Sequence, residues 1–186
     1  MAKIRTFIAV KIPDALKREV DKLIVGLKPH ADGVRWVKAA NLHFTIRFLG
    51  DIESDSISNL ENILAENLKN IKPFSIKLSS LGCFPNIRRP RVVWVGAAGD
   101  MDDLKELAYQ VESACRQGGF GKSDKPFSAH LTIGRIKYPK GLEAFIDELQ
   151  ETEFESDVFE VSEVVVFKSD LSRRGPTYTP MIVVGL

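Results

Sequence analysis

Leu42-His43-Phe44-Thr45-Ile46-Arg47-Phe48 and Ala129-His130-Leu131-Thr132-Ile133-Gly134-Arg135 each carry the pattern His-apolar-Thr-Ile, and they contain two of the three histidines in the chain. With six threonines in 186 residues, a histidine has about a 3% chance (6/186) of a threonine two places on, so two instances among three histidines is a specific signal. Side chains on a strand alternate between faces, which puts His43 with Thr45, and His130 with Thr132, on one face and the apolar neighbours on the other. The two segments lie 87 positions apart (130 − 43 = 87), and the same offset lays residues 4–10 on residues 91–97 and the helix after Pro13 on the helix after Asp100. The chain therefore reads as a duplication, with repeats of approximately 4–81 and 91–168 and a last strand at 177–184. Two lobes related by a pseudo-twofold axis would enclose a cleft, and clefts of this kind are preferred ligand sites. We expect a single bilobal domain spanning 1–186.

Outward from these segments, helical periodicity runs through 13–28 (Leu16, Val20, Leu23, Ile24, Leu27), through Ile57, Leu60, Leu64 and Leu68, through Leu104, Ala108, Val111 and Cys115, and through Leu142, Phe145, Ile146 and Leu149. Runs rich in β-branched and aromatic residues predict strands at 4–10, 43–49, 74–81, 91–97, 130–137, 154–167 and 177–184. The stretches 82–90, 118–126 and 169–176 read as loops, and no linker divides the chain.

Composition narrows the function. The 26 Lys+Arg against 25 Asp+Glu exclude a strongly basic nucleic-acid coat and a polybasic membrane binder. Two isolated cysteines support neither a disulfide framework nor a zinc knuckle, and a cytoplasmic setting fits them. No apolar run reaches the roughly 18 residues of a membrane span, and no signal peptide is visible at the start. Neither an obligate protein partner nor a membrane is expected, and a monomer is the expected state. No metal or other cofactor is expected, since the histidine spacing matches no metal-binding pattern.

Two imidazoles and two hydroxyls converging on one cleft suit in-line displacement at phosphorus, which needs a base on the attacking oxygen and an acid on the leaving oxygen. An imidazole titrates near about 6.5, so one can be neutral while the other is charged. Thr45 and Thr132 would donate to non-bridging phosphate oxygens, and Arg135 would meet the charge that grows in the transition state. Arg135 has the wrong parity for the His130 face, but Gly134 before it permits a bulge that re-aims it. Arg47 has the right parity in the first copy and is a second candidate for substrate binding. From the residues alone, either histidine can be the acid. Arg88, Arg89 and Arg91, and Arg173 with Arg174, either track a phosphate backbone or sit in solvated loops. Tyr178 and Phe84 are candidates for stacking on a base, although packing suits them better. His30 reads as a loop residue and Cys115 as core.

With both motifs in view, the chain resembles the two-histidine phosphoesterase superfamily, in particular the LigT-like family of RNA 2′,3′-cyclic phosphodiesterases and 2′-5′ RNA ligases. The similarity spans nearly the whole chain, from Arg5-Thr6-Phe7-Ile8-Ala9-Val10 through Arg35-Trp36-Val37 and the two motifs to the tail at 169–178. What the resemblance implies is an α+β fold with antiparallel sheets lining a central cleft, helices outside, and no metal. The implied reaction is hydrolysis of an RNA terminal 2′,3′-cyclic phosphate to a 2′-phosphomonoester, with reversible 2′-5′ RNA ligation at the same site, so the implied partner is RNA or an oligonucleotide with such an end. By motif, His43 is similar to the family's proton donor and His130 to its proton acceptor. Thr45, Thr132 and Arg135 match its phosphate-holding positions, and Tyr178 lies in its similar tail. A non-catalytic RNA-end-binding module, and a phosphodiesterase for another cyclic phosphate or for 2′-5′ linked oligonucleotides, stay open as alternatives.

Overall fold

A computed structural model describes residues 2–138, 141–173 and 175–186. Arg174, one of the candidate backbone-tracking residues, lies outside the described residues. The strands are β1 (Lys3–Lys11), β2 (Val34–Trp36), β3 (His43–Glu53), β4 (Phe74–Phe84), β5 (Val92–Gly99), β6 (Leu131–Ile136), β7 (Glu155–Val161), β8 (Glu163–Ser172) and β9 (Gly175–Gly185). The helices are α1 (Asp14–Leu27), α2 (Ile57–Leu68), α3 (Met101–Gln117) and α4 (Glu143–Glu151).

The strands form an antiparallel sheet in the order β7-β4-β5-β6-β3-β1-β8-β9, with β2 taking over from β3 beside the far end of β6. The two repeats meet at its middle, where β3 and β6 pair through Phe44 and Leu131. These residues are themselves 87 apart (131 − 44 = 87), so the pseudo-dyad runs through their pairing. The two antiparallel sheets expected from the resemblance are thus continuous across that bridge.

The sheet must curl. β7 lies at one edge and β8 is next to last at the other, yet only Ser162 separates them in sequence. Successive Cα atoms are about 3.8 Å apart, so the two ends of the sheet are drawn together at that residue. Leu186 N–H donates to the Ser162 carbonyl at 2.9 Å, closing the corner. One face of the curl is covered by helices, whose apolar stripes (Leu16, Val20, Ile24 and Leu27 on α1; Leu104, Leu107, Val111 and Cys115 on α3) pack on Ile8, Val10, Phe44, Ile76, Val93 and Leu131. The other face carries a smaller apolar cluster of Phe7, Ala9, Val165 and Phe167, with Tyr178 against it.

Four features depart from the sequence expectations. β2 has three residues, too few to show a period. The run 154–167 is two strands broken at Ser162, because both halves are β-branched and nothing in composition marks the corner. The stretch 169–176, expected as a loop, is mostly ladder: β8 and β9 pair from Glu163 with Gly185 to Ser172 with Gly175. β4 likewise runs on to Phe84. Among the described residues no helix is long and apolar enough to cross a membrane.

Gly82 faces Trp94 across the β4–β5 pair, and a Cβ there would fall 2.3 Å from the indole Cζ2. Gly82→Ala is expected to lower stability by about 1–3 kcal/mol through overpacking, measured as a fall in the urea unfolding midpoint at unchanged m-value.

Candidate active site

On the face away from the helices lies a cavity of about 370 Å³, lined by His43, Thr45, His130, Thr132, Arg135 and Tyr178 among others. His43 opens β3 and His130 immediately precedes β6. The Phe44–Leu131 bridge turns the apolar member of each motif inward, where both are fully buried, and leaves His and Thr half-exposed toward the cavity.

Both imidazoles are anchored in the same way. His43 Nδ1–H donates to the Asn41 carbonyl at 2.7 Å, and His130 Nδ1–H donates to the Ser128 carbonyl at 2.8 Å. The two carbonyls are again 87 residues apart (128 − 41 = 87). With Nδ1 committed to a carbonyl, the neutral ring has its lone pair on Nε2. The Thr45 hydroxyl donates to His43 Nε2 at 3.0 Å. Asn41 also donates its side-chain amide to the Pro176 carbonyl at 2.9 Å, which draws the start of β9 over His43.

The surroundings of the two rings differ. His43 is stacked on Phe7 (centroids 4.8 Å apart) and meets the edge of Tyr178 at 5.2 Å. Burial pushes its pKa down to about 4, the Asn41 carbonyl opposes this, and Arg135 and His130 lower it further. His130 meets the edge of Phe84 at 4.9 Å. Its pKa is also lowered, by burial first and by Arg135, against the pull of the Ser128 carbonyl. Burial raises the Tyr178 phenol, with Arg135 and Arg5 acting the other way. Among the described residues no Asp or Glu lines the cavity, so no carboxylate there stabilises an imidazolium.

The arginines are sorted by a pair of bulges. Against β1, Ile8 pairs with Arg47 but Ala9 with Thr45, so Ile46 is the extra residue; against β5, Val93 pairs with Gly134 but Trp94 with Thr132, so Ile133 is extra. The bulges are equivalent (133 − 46 = 87), and each reverses the parity of the residues after it. Arg135 consequently lines the cavity. Gly134 also lets β2 pass close, since a Cβ there would sit 2.9 Å from Val34.

Arg47 does not share the His43 face, contrary to its parity on a regular strand. The bulge turns it to the core side, where it is 7% exposed and its Nε lies 2.9 Å from Glu112 Oε2 on α3. It donates to the Gly121 carbonyl at 3.2 Å while Glu112 accepts from Ser123 N–H at 3.0 Å, so this pair fastens the loop that leads to His130. Phe48 occupies the place in β3 that Arg135 holds in β6 (135 − 48 = 87). It is 45% exposed in the cavity, with the Arg5 guanidinium 4.6 Å from its ring centre.

Arg5, Arg35, Lys38 and Phe48 line the cavity without having been singled out as site residues from sequence. Arg5 had a signal, since it shares the period-two face of Phe7. Arg35 and Lys38 had none, because β2 is too short to show a face. Arg88, Arg89 and Arg173 are exposed, and the Arg88 and Arg89 amides cap Asn86 Oδ1 in a turn. His30 sits exposed in a short 3₁₀ turn, 4.0 Å from Glu148. Cys115 is fully buried on α3, its thiol pushed up to about 11 by burial. Both cysteines are free. Among the described residues, no group of three His, Cys, Asp or Glu side chains is placed to hold a metal ion.

This geometry has counterparts among known proteins. The chain is 35% identical over 184 residues to an RNA 2′,3′-cyclic phosphodiesterase of Methanothermobacter thermautotrophicus, covering 97% of this chain and 98% of that one. It is 36% identical over 173 residues to an RNA 2′,3′-cyclic phosphodiesterase of Aquifex aeolicus, covering 91% and 86%. Its fold superposes on the crystal structure of E. coli LigT complexed with 3′-AMP with a TM-score of 0.81 at 24% identity, over 100% of this chain and 99% of the other. The LigT like Phosphoesterase family matches twice in succession, over residues 10–94 and 95–178, one match for each half of the duplication, and to that family this chain belongs.

Proposed function

We propose that this chain is a phosphoric diester hydrolase that opens the 2′,3′-cyclic phosphate at the end of an RNA to a 2′-phosphomonoester. The observation that carries this reading is the pair of carbonyl-anchored imidazoles lining one cavity that, among the described residues, holds no carboxylate. The names of the relatives in M. thermautotrophicus and A. aeolicus support the substrate class.

In this mechanism the cyclic phosphate lies between the two motifs. Thr45 and Thr132 donate to its non-bridging oxygens, and Arg135 offers parallel N–H donors to the charge that accumulates as water attacks. His130 Nε2 takes a proton from the water as the new P–O bond forms. His43 Nε2 gives a proton to the ribose O3′ as the P–O3′ bond breaks, leaving the phosphate on O2′. With a ribose 5′-hydroxyl in place of water, the same displacement forms a P–O5′ bond as P–O3′ breaks and His43 protonates O3′, which makes a 2′-5′ link; the 3′-hydroxyl attacking that link in turn reverses it. His43 must carry a proton to do this, and in the empty cavity it holds one only at acid pH. The entering phosphate is the missing counter-charge: it offsets Arg135 and raises the imidazole.

Incubation in excess EDTA with a short RNA ending in a 2′,3′-cyclic phosphate is expected to yield the 2′-phosphate alone. A folded protein that binds this RNA without turnover would overturn the reading in favour of a binding module. His43→Ala and His130→Ala are each expected to lower kcat by about 10²- to 10⁴-fold, measured on the same substrate. Arg135→Ala is expected to lower kcat more than it raises KM, because its hydrogen bonds tighten as charge develops; steady-state kinetics separate the two. Since both imidazoles are depressed in the free protein, kcat/KM is expected to peak below pH 6.5. The kcat profile should peak at higher pH, because the bound anion raises both groups.

A further inference from the structure

The cavity holds more positive charge than one phosphate requires. Arg5, Arg35, Lys38 and Arg135 all line it, no carboxylate does, and none of the four has an ion pair among the described residues. Some cations elsewhere are paired, Lys11 with Glu163, Arg47 with Glu112, Lys77 with Glu155 and Lys168 with Asp170. The excess is concentrated in a defined place. Arg35 on β2 and Arg135 on β6 are direct cross-strand partners, both exposed. Like charges in that position repel, and folding alone gives no reason to hold them there. The space beside them is kept clear as well. Gly175 has a φ of +112°, and a Cβ on it would lie 2.9 Å from Arg35 Nη2, so a larger residue would displace the guanidinium.

Position in the sheet separates Arg35 from the reacting centre. From Thr132 to Arg135, with Ile133 taken up in the bulge, is two pleat steps, or about 7 Å. Arg35 stands one strand over at that level, and Lys38 follows it in the chain at the cavity rim. We propose that Arg35 and Lys38 form a second phosphate subsite, which takes the phosphodiester on the 5′ side of the terminal nucleotide. This rests on the function proposed above and deepens it: the preferred substrate is an oligonucleotide, and a lone nucleoside 2′,3′-cyclic phosphate fills only the reacting half of the cavity. An internucleotide phosphate at Arg35 relieves its repulsion with Arg135, so the two phosphates are bound by a charge pair that is unfavourable only when the cavity is empty.

The test compares adenosine 2′,3′-cyclic phosphate with ApA ending in the same cyclic phosphate, for the wild type and Arg35→Ala. The wild type should favour the dinucleotide. Arg35→Ala should lower kcat/KM for the dinucleotide about tenfold while changing the mononucleotide less than twofold, which also shows the variant to be folded. The slope of log(kcat/KM) against log[salt] for the dinucleotide should become shallower by about 0.7, the value for one lost phosphate contact on a single strand. An equal loss on both substrates would place Arg35 on the reacting phosphate and overturn the proposal, as would no loss on the dinucleotide. If the wild type turns over neither compound, the functional reading falls separately. The subsite is then judged by binding of ApA carrying a terminal 2′-phosphate: about tenfold weaker affinity in Arg35→Ala upholds it, and unchanged affinity overturns it.

Discussion

The pairing of Phe44 with Leu131 is the contact on which the rest of the molecule depends. Strand-to-strand, the two halves of the duplication meet there, and because the two residues are equivalent in the repeat, whatever one half presents beside it the other presents in the opposite direction. With both apolar side chains buried beneath the helices, period-two alternation leaves His43 and Thr45 facing His130 and Thr132 across a gap. The curl imposed at Ser162 then folds the flanking strands round that gap into a cavity. Arg47 and Glu112, on the far side of the sheet, hold the loop that delivers His130, so a buried ion pair remote from the cavity supports one of its two imidazoles.

Burial and the lack of acidic neighbours among the described residues set the electrostatics of the cavity together. Aromatic walls remove water from His43, and no carboxylate replaces the lost solvation, so the ring is held neutral. A carboxylate placed there would keep the imidazole charged, but it would also repel a phosphate. The cavity instead leaves its positive charge uncompensated, which is the arrangement an anionic ligand completes.

Much of this was legible in the amino-acid pattern, for a physical reason: a duplicated chain states its folding rules twice. The offset of 87 between His43 and His130 predicted the pseudo-dyad, and the apolar stripes of α1 and α3 predicted which faces they bury. What escaped was what a period cannot encode. A bulge at Ile46 inserts one residue without changing composition, so Arg47 appeared on the cavity side when it lies on the core side. The same bulge at Ile133 was foreseeable for Arg135 only because Gly134 marked it. β2 is shorter than two alternations, so Arg35, quoted only for the resemblance, showed no face, and Lys38 lies just beyond that strand. The corner at Ser162 joins two strands of like composition, and its sharpness follows from sheet order, which only the folded chain shows.

The equivalence of Phe48 and Arg135 concerns direction. A cleft built from two identical halves has no front or back: anything it holds can be turned end for end at no cost in contacts. A nucleic-acid strand has polarity, and its 3′ end differs chemically from the step before it. By putting an aromatic ring under a guanidinium at one of two matched positions and the Arg135 guanidinium at the other, the chain makes the two ends of its cavity unlike. Phe48 opposite Arg135, together with the unlike walls round His43 and His130, gives the duplicated scaffold two distinguishable ends.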